Sequence, residues 1–539
     1  MPIKTTSQLE NQLTQTESNR SLFETEINQH TISSSFKALT FQKADSFSSL
    51  STAIKQAFPK TLNHHKNQLL TGENNQIQPI TNKRIAVLFS GGPAAGGHNV
   101  LAGIFKALGD QNTLLGVKRG PKGLLSGDLF EITQDHINKV SNLGGFDLLG
   151  TDRTKIKTAE QFNAVEKTVV DHHLNAIIII GGDDSNTNAA LLAEQLFDRQ
   201  CAVIGVPKTI DGDLQVNDHL PISFGFDTAT KTYAELVGNI LQDTRSSLKY
   251  WHFVKLMGRS ASQVTLEVAL QTKPAITLIS EEIANNASTL DEIVTKIANV
   301  VTERAKNGIH HGVVLIPEGL IEFIPEFKSL VNELNDAIAQ GHTQIHNQQN
   351  KALFETLPTD LQNQLLADRD SHGNLQVSLI QTEKLLIELV RNKLKNTSIP
   401  FSAHHHFFGY EGRCGTPTVF DAWYCYNLGI VAGALALSNH TGYMASISKL
   451  DEGGVALAIP LAGLITNERR DGYDTLVIKK ALVKLDSPAF KYFKSREKTW
   501  AETDVFSSPG PRQFWGPTAH QLPFTVALNQ SYRSYTMTV

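Results

Sequence analysis

One pattern constrains the fold of this chain more than any other: a short apolar run, a glycine-rich break, then a helix-spaced stretch, repeated. RIAVLF (Arg84–Phe89) is followed by SGGPAAGGHNV and then by LAGIFKAL. The same order returns at Ala176–Ile180, with GGDDSNTNA and ALLAEQLF behind it. It returns more loosely at Ala202–Val206 and at Gly312–Ile316, inside HGVVLIPEG. Bounded apolar runs of this length suit strands buried on both faces. Strands alternating with helices predict an α/β fold with parallel sheets covered by helices. Ligands in such folds bind outside the carboxyl ends of the strands, which is where the glycine-rich loops fall.

The flanks differ in composition. Residues 1–80 are rich in Gln, Asn, Ser and Thr and read as an N-terminal extension of helices and loops. Residues 81–240 read as one α/β domain and 241–539 as a second, with approximate boundaries that the chain is free to cross. A mostly helical insertion is expected at about 320–400, on stretches such as LIQTEKLLIELVRNKL. NLGIVAGALAL, near residue 430, is apolar and rich in small residues, and reads as a closely packed core helix rather than a membrane segment.

Charge and cysteine usage narrow the function classes. With 49 Lys and Arg against 53 Asp and Glu, the basic excess of nucleic-acid or acidic-membrane binders is missing. Cations that meet an anionic ligand must therefore be concentrated locally. Cys201, Cys414 and Cys425 form no disulfide framework and no zinc spacing, which fits a reducing compartment. The start, MPIKTTSQLENQLTQTESNR, lacks the apolar run of a secretory signal. The expected location is the cytoplasm.

Each loop carries chemistry of differing weight. The first, Ser90–Asn99, offers glycines and a helix N-terminus to an anion, although a plain strand-to-helix turn would look the same. It is neither a Walker A loop nor GxGxxG. The second, GGDDSNTNA, sets Asp183 and Asp184 after paired glycines; carboxylates there hold Mg²⁺ well when phosphate oxygens complete its octahedron. Helix capping accounts for one acidic or hydroxyl side chain but not for both carboxylates. The third, VPKTIDGDL, gathers Lys208, Thr209 and Asp211, a phosphate-neutralising cation and a proton acceptor, although a solvated Asp-Gly-Asp turn is the plainer reading. Arg259 in LMGRS and Arg413 in FGYEGR are guanidinium forks beside glycines, suited to phosphate. His404–His406 does not suit one metal ion, because successive strand residues point to opposite faces.

In order, SGGP…GGHN, LLGTDRTK, GGDDS, PKTIDGD, KYWHFVKLMGR, IPEG and GYEGR resemble the phosphofructokinase family, over about Arg84 to Ala436. The long, pyrophosphate-dependent branch is the nearer likeness. The resemblance implies two Rossmann-like parallel-sheet domains of phosphofructokinase type, Mg²⁺ as cofactor, and pyrophosphate and fructose 6-phosphate as substrates. Gly91, Gly92 and Lys208 would bind the diphosphate, and Asp183 the metal. Asp211 would be the general base, with Lys208, Asp184 and Arg153 also catalytic. Thr209, Ile210, Asp211, Met257, Gly258, Arg259, Glu318, Tyr410, Glu411, Gly412 and Arg413 would bind the sugar phosphate. Lys249 and Tyr250 lie where the family reaches into a neighbouring subunit's site, which implies a homodimer or larger homo-oligomer.

The donor is read from a pair of positions. The ATP-dependent pattern is GGDGS and PGTIDND; here Asp184 and Lys208 replace glycines. An aspartate fills the room for a nucleotide's inner phosphate and repels it, while a lysine stabilises departing phosphate. Ala95 departs from the family, which has proline near it, and GTDRTK has no clear counterpart. The alternatives are an ATP-dependent 6-phosphofructokinase, a non-catalytic regulatory subunit, which should have lost Asp211 or Asp183, and a dinucleotide oxidoreductase, which needs GxGxxG.

Overall fold

The computed structural model describes residues 35–36, 38–75, 80–366, 380–470, 473–509 and 521–532. Much of the expected N-terminal extension (1–34), and 367–379 of the expected insertion, lie outside these residues.

The strands, in chain order, are β1 (Leu39–Ser46), β2 (Gln68–Asn74), β3 (Arg84–Ser90), β4 (Thr113–Val117), β5 (Leu129–Glu131), β6 (Thr151–Asp152), β7 (Ala176–Gly181) and β8 (Ala202–Pro207). They continue with β9 (Tyr250–Leu256), β10 (Ile276–Thr277), β11 (His311–Pro317), β12 (Ala403–Phe408), β13 (Tyr443–Ser448), β14 (Val455–Pro460), β15 (Ile465–Arg470) and β16 (Tyr473–Ile478). The larger sheet runs β1-β2-β14-β13-β8-β7-β3-β4-β5, with β6 paired to the end of β3. Its centre, β13-β8-β7-β3-β4, is parallel, as the apolar runs predict. Its margins are antiparallel: β14 against β13, the β1–β2 hairpin beyond it, and β5 against β4. The smaller sheet, β10-β11-β9-β12, is parallel throughout.

β15 and β16 form a separate antiparallel hairpin, and the two larger sheets do not divide the chain into two contiguous halves. Residues 443–460 return to the larger sheet after the smaller one is complete, and β1 and β2, from within 1–80, form its edge. The alternation signal could not show this, because antiparallel margin strands carry no strand–helix–strand unit. The insertion is mostly helical where it is described, at Leu320–Phe323, Pro325–Ala339, Gln348–Thr356, Thr359–Leu366 and Thr382–Leu394. Its Leu330, Leu334, Leu386 and Val390 share one apolar core with strands of the smaller sheet.

The apolar helix Val419–Leu437 has the length and composition of a membrane span, but 94% of its most apolar window is buried inside the fold. It crosses the helix Gly97–Leu108 closely. A Cβ on Gly103 would sit 1.9 Å from the Tyr426 carbonyl oxygen, so only a hydrogen fits between these backbones. That packing fixes the helix that opens just after the first glycine loop.

Candidate functional site

The carboxyl ends of the parallel strands in both sheets converge. From the larger sheet come Gly91 after β3, Gly182 after β7 and Lys208 after β8; from the smaller come Met257 after β9, Glu318 after β11 and Gly409 after β12.

Gly91 takes φ +86°, a conformation that favours glycine. Its N–H donates to the Asp152 carbonyl at 2.9 Å, and Thr151 Oγ1 donates to its carbonyl at 2.7 Å. The β6–β3 pairing thereby carries Arg153 beside the loop. A Cβ on Gly92 would lie 2.9 Å from Arg413 Nη2 and 3.6 Å from Arg153 Nη2, and one on Gly91 would lie 3.4 Å from Lys208 Nζ. Cations from separate segments thus surround one bare backbone turn, which is the local concentration that the near-neutral net charge requires.

Lys208 is buried, and its N–H donates to the Gly181 carbonyl at 3.0 Å. Burial lowers its pKa to about 8; Asp211 opposes that shift and Arg413 adds to it. On the same turn, Asp211 N–H donates to Thr209 Oγ1 at 3.1 Å. Burial, then Asp213 and Glu318, raise the Asp211 pKa to about 7 against the pull of Lys480 and Lys208. Asp183 opens the helix Asp183–Gln195, and burial holds its carboxyl above the usual range. Behind it, Ser185 Oγ donates to Ser90 Oγ at 2.8 Å, tying the second loop to the end of β3.

On the other side, Glu318 is buried and accepts the Gly258 N–H at 3.0 Å; burial raises its pKa. Arg259 lies 3.7 Å from Glu322. Gly412 packs on the Tyr233 ring, whose hydroxyl donates to the Gly409 carbonyl at 2.5 Å, so the GYEGR turn is seated on the helix Phe226–Ser247. Tyr410 is exposed, with the Arg413 guanidinium over its ring. Arg413 Nε also donates to the Pro93 carbonyl at 3.4 Å, which places this arginine against the first loop. Ile210 is buried and Glu411 exposed.

Other positions stand apart. Asp184 turns to Lys155 at 2.9 Å, a partner that the sequence reading did not name. Lys249 and Tyr250 lie at the start of β9, while Met257 follows its end, roughly 20 Å away at a strand's rise per residue. They cannot reach the same site within one chain. Sequence reasoning also missed Asp213, which is buried rather than solvated, and Lys480, 3.5 Å from it. Lys480 sits in VIKKALVK, outside every motif singled out from the sequence. His404 and His406 share one side of β12, where His406 Nε2 lies 2.8 Å from His252 Nδ1.

Lysine and arginine around a glycine turn, facing a raised-pKa carboxylate, form a site for holding a polyanionic phosphate beside a proton acceptor. The phosphofructokinase sequence profile matches residues 84–436, and the chain belongs to that family. It is 46% identical to the pyrophosphate–fructose 6-phosphate 1-phosphotransferase of Treponema pallidum over 505 residues, 87% of this chain and 88% of that one. It is 44% identical over 500 residues to the subunit beta 2 of that name from Arabidopsis thaliana, covering 88% and 87%. Among solved structures, the pyrophosphate-dependent phosphofructokinase of Nitrosospira multiformis superposes with a TM-score of 0.53 at 16% identity, covering 83% of this chain and 97% of that one.

Proposed function

We propose that this chain transfers a phosphoryl group from pyrophosphate to the 1-hydroxyl of D-fructose 6-phosphate, giving fructose 1,6-bisphosphate and orthophosphate. One observation carries the reading: Lys208, Arg153 and Arg413 close on the Gly91–Gly92 turn while Asp211 lies on the Lys208 turn. The names of the relatives give the same reaction.

The sugar hydroxyl passes its proton to Asp211 as its oxygen bonds to the terminal phosphorus. The bridging P–O bond breaks, and orthophosphate leaves with the electron pair. Lys208, Arg153 and the loop amides meet the charge that spreads over the phosphoryl oxygens. Arg259, Glu318 and the GYEGR turn hold the sugar phosphate, and Arg413 stands between donor and acceptor. Asp183, with Asp213 beside it, suits Mg²⁺: both are oxygen donors already within 4.0 Å of one shared cation, Lys480 Nζ. Bound with the diphosphate, Mg²⁺ supplies charge neutralisation. Lys249 and Tyr250 complete the sugar site of a second subunit, so the working form is at least a dimer. The cytoplasm suits this chemistry and the free Cys201, Cys414 and Cys425.

The test is fructose 1,6-bisphosphate formation with pyrophosphate or ATP as the only donor. Activity with pyrophosphate and none with ATP is expected; the reverse would overturn the donor assignment, and inactivity with both would favour a regulatory chain. The pH profile follows from the groups in the free site. Asp211 must be ionised and Lys208 protonated, so kcat/KM for pyrophosphate rises with pH through about 7 and falls above about 8. Lys208→Met should remove the alkaline limb and move the acid one to higher pH, because the ammonium that pulls the Asp211 pKa down is gone; the pH dependence of kcat/KM reads both.

A further inference from the structure

The C-terminal segment brings into the site a group that lies beyond the family match, which ends at residue 436. After β16 the chain runs along the carboxylate cluster and is pinned as it passes. Ile478 N–H donates to Thr187 Oγ1 at 3.1 Å, on the helix that Asp183 opens. Ala481 N–H donates to the Asp213 carbonyl at 2.7 Å, and Val483 N–H to Glu281 Oε1 at 2.9 Å. Lys480, inside this restrained stretch, donates from Nζ to Ser260 Oγ at 2.6 Å. The same ammonium lies 3.5 Å from Asp213 Oδ2 and 3.8 Å from Asp183 Oδ2. Ser260 follows Arg259 after β9. One cation therefore links carboxylates after β7 and β8 to the loop of the smaller sheet.

This is a position that a hard divalent ion would claim from the same oxygens, and an ammonium and a divalent ion repel strongly at such separations. Resting on the pyrophosphate reading above, we propose that Lys480 is a positioning residue and a built-in counter-ion. It holds Asp183 and Asp213 together before substrate binds, and it disfavours free divalent metal until the metal comes with a diphosphate. A diphosphate brings its own oxygens to the metal and fresh negative charge for the displaced ammonium, whereas a free ion offers neither. Lys480 thereby sets the order of loading and keeps the donor-side carboxylates in register with the sugar-side loop.

The experiment is a calorimetric titration of Mg²⁺ alone into the full-length protein, alongside steady-state kinetics. Lys480→Met should bind free Mg²⁺ about tenfold or more tightly, because a like charge within a few ångströms is gone. Its kcat should nevertheless fall, and Lys480→Arg, which keeps the charge, should stay near the wild type in metal affinity. A merely structural lysine would weaken metal binding and turnover together. If the Met variant does not fold, Lys480→Gln repeats the measurement with a neutral, polar side chain. Unchanged or weaker Mg²⁺ affinity in the neutral variant overturns the inference and leaves the reaction standing. A wild type inactive with pyrophosphate would instead sink the reaction while leaving the titration readable.

Discussion

Asp211→Ser lowers turnover by about 10²–10⁴-fold, the range for loss of a general base, and leaves both KM values within a few fold. The size of the effect follows from where the carboxylate sits. It lies on the turn that carries Lys208, so acceptor and donor groups are placed by one piece of backbone. Burial and the neighbouring Asp213 and Glu318 lift its pKa to about 7, close to working pH, where a base both stays ionised and accepts a proton readily. Serine keeps the turn and removes the acceptor. The acid limb of the pH profile should vanish with it. Near-normal kcat in this variant would take the base role away from Asp211, and Asp213 would be the next residue to replace.

The donor pair gives the other large effect. Lys208→Met lowers pyrophosphate-dependent turnover by about 10²–10³-fold, the cost of removing one preorganised group from developing charge. Lys208 is 7% exposed and its ammonium faces Gly91, so solvent cannot replace it easily. Asp184 does not stand as the unpaired charge that the simple repulsion read in the sequence requires, because Lys155 lies 2.9 Å away and offsets its charge. Asp184→Gly both opens space and releases Lys155 toward an inner phosphate. Asp184→Gly combined with Lys208→Gly should therefore raise the ratio of kcat/KM for ATP to that for pyrophosphate by orders of magnitude, mostly through loss of the pyrophosphate reaction. Steady-state kinetics with each donor decide it; an unchanged ratio would mean that these positions do not choose the donor.

The parts of the molecule that were legible in the sequence are those made of contiguous signals. Bounded apolar runs give β3, β7, β8 and β11, and each leads into a loop of the site. Arg153 needed the β6–β3 pairing to explain why it lies beside Gly92, yet its neighbours in GTDRTK at least marked the segment. Lys480 had no such marker. It arrives through the β15–β16 hairpin and backbone hydrogen bonds to residues far away in sequence, which leave no local pattern. Asp213 misled for the opposite reason: an Asp-Gly-Asp turn reads as solvated, but the same C-terminal segment covers it. The return of β13 and β14 to the larger sheet was hidden likewise, since strand order is a long-range property.

The most direct measurement follows the phosphorus itself. Purified protein is given ³²P-pyrophosphate, fructose 6-phosphate and Mg²⁺ with no nucleotide present. The expected result is label in fructose 1,6-bisphosphate and in orthophosphate in equal amounts, with the sugar label cut by about 10²-fold or more when Asp211→Ser replaces the wild type over the same interval. Label confined to orthophosphate would mean that the site hydrolyses pyrophosphate instead of transferring it, and would overturn the assignment.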